Sequence, residues 1–177
     1  GFGASLSETI ADFNADATLT VGTGAQVNAA AASGNVNLTA RINHDGSNFL
    51  TGRGAIGSAN NFAGGLAGVS VGNVKVNANS TMLVEVGTDA SLTTGGGDVK
   101  VIGKHGNTAT ASLASAAVGL VAVGVGSATP VAGGSTTVKY LGDVGDGTAA
   151  AARHLYVQAE GYTAATGALN SVAGGLV

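Results

Sequence analysis

Gly68-Val-Ser-Val-Gly72 has the spacing of a nucleophile elbow, in which a strained turn lifts a serine, here Ser70, toward a base. A downstream copy of the stretch reads Ala122-Val-Gly-Val-Gly126, with Gly124 where the serine would stand, so a strand position is expected. Gly52-Arg-Gly-Ala-Ile-Gly57 has the glycine spacing of a dinucleotide loop. That chemistry needs a helix to follow and an acid about 20 residues on. Residues 58–65 carry no helical pattern and Asn77 stands near the acidic position, so a coil corner is expected. His44, His105 and His154 could bind a metal or act as a base. No His-x-His or His-x-x-x-His spacing occurs and there is no Cys to assist, so they read as surface side chains.

The acids divide in the same way. Asp143 and Asp146 beside Gly147, with Asp98 and Asp89 in related turns, suggest calcium. The nine-residue calcium-roll period is absent, and one or two carboxylates per turn are too few oxygens for a tight site. Glycoside chemistry needs two carboxylates in one cleft, whereas Glu8, Glu85 and Glu160 are scattered and no Trp is present to stack a sugar. The expectation is therefore no catalytic residue, no cofactor, no metal ligand and no enzymatic activity. The sequons at Asn37 and Asn79 are common by chance in an Asn/Thr-rich chain.

The elements that must carry these residues follow from composition. Of 177 residues 31 are Gly, 10% are charged and 4% aromatic; net charge is −3, with seven Lys and Arg. So few cations argue against nucleic acid, which requires phosphate neutralisation. Ala and Val dominate the 45% hydrophobic fraction, so a core must be built from small side chains. Period-two alternation marks strands at residues 73–77, 84–86, 98–101 and 138–140, with the charges opposite the valines and facing water. In Val121-Ala-Val-Gly-Val125 the valines alternate with Ala or Gly, which places one side on the core. Gly22-Thr-Gly24, Gly95-Gly-Gly-Asp98 and residues 142–147 are turn signals. The uncharged run from Ala111 to Gly134 is long enough for a bilayer. Its Gly, Ser, Thr and Pro130, and a copy containing Asn60-Asn61, make it core strands and not a membrane span.

Internal repeats organise the chain. Thr110, Leu113 and Ser115 match Thr166, Leu169 and Ser171, and Gly119-Leu-Val121 matches Gly175-Leu-Val177. Val69-Ser-Val-Gly72 matches both Val123-Gly-Val-Gly126 and Ala4-Ser-Leu-Ser7; Gly65-Leu66 matches Gly119-Leu120, and Ser80-Thr81 matches Ser135-Thr136. Residues 21–25 match 86–90, and residues 34–38 match 97–101. Three units result, near residues 1–65, 66–121 and 122–177. The expected fold is all-β, a parallel β-solenoid of the right-handed β-helix kind built from about three long repeats, with two or three coils in each. A stacked β-sandwich array is the structural alternative. The expectation is one continuous repeat segment from a longer array, capped by neighbouring repeats.

Gly65-Leu-Ala-Gly-Val-Ser-Val-Gly72, Val84-Glu-Val-Gly-Thr-Asp-Ala-Ser-Leu92 and Gly97-Asp-Val-Lys-Val101, followed by the Thr/Ser/Ala run to Val121, carry a family resemblance. The chain resembles the large Gram-negative filamentous adhesins, of the fusobacterial leukotoxin-type and filamentous haemagglutinin-like β-helix families. The resemblance implies export through an outer-membrane pore and a stiff structural stalk at the bacterial cell surface. It supplies no catalytic residues. Neighbouring repeats, end-to-end self-association and a host or surface receptor are the partners expected. The alternatives are an ice- or glycan-binding solenoid, for which Thr18, Thr20, Thr136 and Thr137 are the hints, and a self-assembling extracellular fibre. A β-helical carbohydrate enzyme is less favoured.

Overall fold

Period-two alternation runs through this chain for stretches much longer than an ordinary strand, and the backbone follows it. The computed structural model describes residues 1–145 and 152–175. A first rung holds β1 (Phe2–Val21), β2 (Gln26–Ala29), β3 (Val36–Ile42) and β4 (Ala55–Gly64). A second holds β5 (Ala67–Val86), β6 (Ser91–Thr94) and β7 (Asp98–Gly119). A third holds β8 (Val121–Ala132), β9 (Ser135–Tyr140), β10 (Asp143–Val144) and β11 (His154–Gly175). Pairing between rungs is parallel throughout and builds three sheets. Sheet A stacks β1, β5 and the β8–β9 pair; sheet B stacks β2, β6 and β10; sheet C stacks β3–β4, β7 and β11. The protein is a three-rung parallel β-solenoid.

Each rung runs out along sheet A, crosses sheet B and returns along sheet C. The chain then steps up one rung at a tight edge, through Gly65-Leu66 and again through Leu120. Strands of 20 and 22 residues make each coil about 65–70 Å wide at roughly 3.3 Å per residue, while three rungs about 4.8 Å apart stack to only about 14 Å. The expectation of two or three coils per repeat is corrected: each repeat is one flat coil. Glycines such as Gly68, Gly72 and Gly103 make no corners; they lie within strands and face the opposite sheet.

The repeat register is observed nearly as read. Leu113 pairs with Leu169, Val69 with Val123 and Ala4, Val86 with Val21, and Val99 with Val36. Gly175 pairs with Gly119, while Leu176 and Val177 lie outside the described residues. One match is a residue out. Ser135 pairs with Thr81 and Thr136 with Met82, which turns Thr136 inward. Asp143 and Val144, read as turn residues, form the short strand β10.

Toward sheet B the core is apolar, with Met82, Val84, Val86, Leu92, Val99 and Val101 fully buried; Val74 and Val76 belong to a second buried apolar cluster nearer the tight edge. Burying such a side chain contributes about 1.5–3 kcal/mol. Toward the tight edge the two sheets converge and the inward residues shrink to Gly68, Ser70 and Gly72 on β5. Leu113 reaches across from sheet C into the space these leave. A Cβ on Gly72 would lie 2.6 Å from Leu113 Cδ1, and one on Gly126 would lie 2.7 Å from Leu113 Cδ2. The large apolar residues of that region face out, with Leu6 83%, Val121 65% and Val125 53% exposed. Of the two sides of the Val121–Val125 alternation, the Ala/Gly side is therefore the one on the core.

The middle of the core is polar. Ser80 Oγ donates to Asn107 Oδ1 (2.8 Å), and the Asn107 side-chain amide donates to the Gly133 carbonyl. This belt separates two apolar clusters, which Phe13 bridges from rung 1. Gly133 N–H donates down to the Ala78 carbonyl (2.8 Å). Outward-facing residues of β8 thus bond rung 2, and the inward-facing ones, Pro130 among them, turn their backbone nitrogens to the open upper edge. The one proline therefore costs no ladder bond there.

Gly72→Ala and Gly126→Ala should each lower stability by about 1–3 kcal/mol through overpacking, read as the urea unfolding midpoint. Combining either with Leu113→Ala should cost less than the sum of the singles, because the cavity and the added methyl share one space. Additive losses would show that the sheets do not converge on Leu113.

Candidate functional site

The groups singled out for chemistry are distributed by the ladder. Ser70 lies mid-strand, fully buried, with its hydroxyl 2.8 Å from Ser115 Oγ; no turn lifts it and no base stands beside it. Gly52 and Gly54 end a loop that runs directly into β4, so no helix N-terminus faces them. Glu8 and Glu85 stand on sheet A in different rungs, and Glu160 on sheet C. Asp89 sits at a corner between sheets A and B, Asp143 opens β10, Asp98 opens β7, and Asp146 and Gly147 lie outside the described residues. Among the described residues no three His, Cys, Asp or Glu side chains gather where a metal ion could be held. Nor do the described residues form a helix long and apolar enough to cross a membrane.

His105 is not a surface residue. It faces inward on β7 at 4% exposure, above Ile42 and below Gly161, whose missing side chain leaves room for the ring. Thr136 Oγ1 donates to the Glu160 carbonyl (3.1 Å) and so accepts from His105 Nδ1, while Nε2 is buried without a partner among the described residues. Burial pushes this imidazole below its ordinary 6.5. The one-residue shift at Thr136 is what supplies its partner.

Chemistry that faces solvent concentrates on the outer face of sheet C. Arg41, Lys104 and Glu160 stack in one column, with Lys104 Nζ 2.9 Å from Glu160 Oε2. Tyr156 stands over Lys100, whose ammonium lies 5.4 Å from the ring centroid. Residues 43–54 form an insertion absent from the other rungs. It folds over Gly106, bringing Phe49 onto Tyr162 with centroids 5.7 Å apart and His44 edge-on to Phe49 at 4.8 Å. Asp45 accepts from the amides of Ser47 and Asn48 at 2.8 and 2.7 Å, an Asx turn that shapes the insertion and holds this carboxyl below its ordinary range. The corner before β11 carries Arg153, which grips Asp98 with two bonds of 3.0 and 3.1 Å; His154 Nδ1 adds a third at 3.1 Å. Those bonds hold the Asp98 carboxyl down at about 2.

No family model, curated protein or solved structure matches this chain. A mixed basic and aromatic strip such as this can hold an anionic or ring-bearing group, whereas the outer face of sheet B has a shallow polar groove of about 640 Å³ lined by side chains such as Gln26, Asn28 and Thr93. The insertion was invisible as a site because nothing in residues 43–54 repeats; the length mismatch between the first two repeats was its one signal.

Two pH effects follow. Because Asp98 is held at about 2 in the folded chain, its stabilisation is complete above pH 3.8 and is lost as pH falls toward 2. Asp98→Asn should flatten that acid limb in unfolding midpoints measured from pH 5 to 2. His105 acts at higher pH: the unfolded chain takes up the proton first, so stability falls as pH drops below 6.5. His105→Gln should reduce this slope, leaving a residue from His44, which burial and the nearby Lys104 and Arg41 also lower. An unchanged slope would place His105 in solvent.

Proposed function

We propose that the chain is a structural segment of a secreted bacterial surface filament or adhesin stalk, in which stacked rungs form a stiff extracellular spacer. The observation carrying this reading is the pair of open edges. Rungs 1 and 3 present strands in the same register that joins each of them to rung 2, so a further rung adds by the same bonds and the same inward columns. The resemblance of the 65–72, 84–92 and 97–101 stretches to filamentous adhesins supports the same role, which in those families is exercised at the cell surface. Stability then grows with rung number, as in other solenoids. Such a spacer is a ribbon about 65–70 Å across that lengthens by about 4.8 Å per rung.

Self-assembly into a fibre is a second reading with an observation of its own. End-to-end stacking brings Glu160 on the upper edge against Arg41 on the lower edge of the next copy, in the column that already stacks Arg41 and Lys104. Pro130 opposes it by removing one donor from the upper edge. The ice-binding reading loses support because no outward column among the described residues carries Thr in all three rungs.

Tandem fusions of one, two and four copies, viewed in negative stain, should give ribbons of constant width whose length rises by about 14 Å per added copy. Compact globules, or no growth along one axis, would overturn the stalk reading. For the fibre reading, Pro130→Val should raise concentration-dependent light scattering of the single chain by restoring the donor. Equal scattering from both chains would remove it.

A further inference from the structure

The two broad faces of the slab differ in charge. Five of the seven Lys and Arg residues (Arg41, Arg53, Lys100, Lys104, Arg153) stand on sheet C, its insertion or the corner that enters it, against Asp45, Asp98 and Glu160 there. The outer face of sheet A carries Glu8, Asp12, Asp16 and Glu85 against Lys75 and Lys139. Position along the slab adds to this. Asp16 and Arg41 both belong to rung 1 and lie the same distance from the tight edge to within one residue; so do Glu85 and Lys100 in rung 2.

Shape agrees with charge. The insertion over Gly106 makes a ridge on sheet C. At the matching distance from the tight edge, sheet A has a hollow of about 500 Å³ lined by Asp12, Asn14, Asn77, Asn79, Val131 and Gly133. Beside the tight edge both faces are apolar: Leu6, Val69, Val121, Val123 and Val125 on sheet A, and Phe62, Val118 and Val172 on sheet C, are all at least 42% exposed. The inward neighbours of the sheet A valines are Gly, Ser and Ala, so folding alone does not call for valine outside.

We propose that these faces bind each other: sheet A of one copy receives sheet C of a second copy related by translation across the slab, with tight edge over tight edge. That displacement sets apolar patch on apolar patch, ridge in hollow and acids on bases. A face about 65 Å by 14 Å offers roughly 900 Å², against roughly 800 Å² per partner in a standard interface. The contact is heterologous and does not close, so it extends into lateral stacks. A lipid surface is a poorer occupant for the sheet A patch, because its rim is acidic and anionic headgroups favour basic rims. The pairing does not depend on the chain continuing into a longer rod.

Two variants test it. Val69→Lys with Val123→Lys spoils sheet A; Phe62→Lys with Val172→Lys spoils sheet C; all four positions face outward, and circular dichroism checks that both variants fold. Sedimentation velocity should show association of the unaltered chain, at least tenfold weaker association of either variant alone, and a one-to-one complex when the two are mixed. Because the chain has no Cys, Asn79→Cys on the sheet C variant and Asn48→Cys on the sheet A variant should then form a disulfide in the mixture. A monomeric unaltered chain at 100 μM would overturn the proposal. So would continued association of both variants, which marks end-to-end stacking, or self-association of the sheet C variant, which marks sheet A on sheet A.

Discussion

Parallel pairing in register places every residue directly over its counterpart about 4.8 Å away, and the rest of this molecule is a set of answers to that constraint. A column repeats whatever it contains. Small apolar or hydrogen-bonding groups repeat without penalty, whereas like charges repel. The chain accordingly breaks most of its charged columns: Glu8 gives way to Asn73 and Ser127, Glu85 is followed by Lys139, and where Lys104 does stack on Arg41, Glu160 closes the column. Its low charge content is the compositional trace of the ladder. Where a large group does enter a column, the neighbouring rung makes room, as Gly161 does for His105 and Ala78 for Phe13.

Width sets a second condition. A coil with strands of 20 and 22 residues holds its two long sheets apart by side chains alone, and their separation changes along the slab. Near sheet B, Met82, Leu92 and valines fill the gap; in the middle Ser80 and Asn107 bridge it by hydrogen bonds; near the tight edge Leu113, with Leu169 stacked on it, spans it against glycine. The buried polar belt is satisfied within itself through Gly133, so it fixes which residues of β5 and β7 oppose one another at small cost. An all-apolar core of Ala and Val would leave that register to weak, similar contacts.

Much of this was legible in the repeats. Matches such as Leu113 with Leu169 and Val36 with Val99 gave the register because equivalent columns retain side-chain size and parity. Coil size was not legible, since inward glycines and corner glycines look alike in a sequence and only the opposing sheet distinguishes them. The Ser80-Thr81 match misled for a different reason. Two identical dipeptides outweighed the flanking Val84–Val138 pair, and a one-residue error moves every side chain to the other face. That error hid Thr136 inside the core, and with it the partner of His105. The sheet C strip escaped notice because its members come from three rungs and an insertion; their proximity is a property of the stack.

Stacking also gives each face a composition that no single rung possesses. One rung contributes an acid here or a valine there, but three in register make an acidic and apolar sheet A opposite a basic and aromatic sheet C. Because every rung enters with the same orientation, such a difference accumulates along the axis and does not average out. Surface chemistry in this fold is therefore set column by column, with outward positions as constrained as inward ones wherever they must meet another surface. The outward valines beside inward glycines at residues 121–126 show that constraint most directly. Core packing there asks only for small residues on the inside and is indifferent to the outside, so the choice of valine over threonine or asparagine reflects what the outer face must touch.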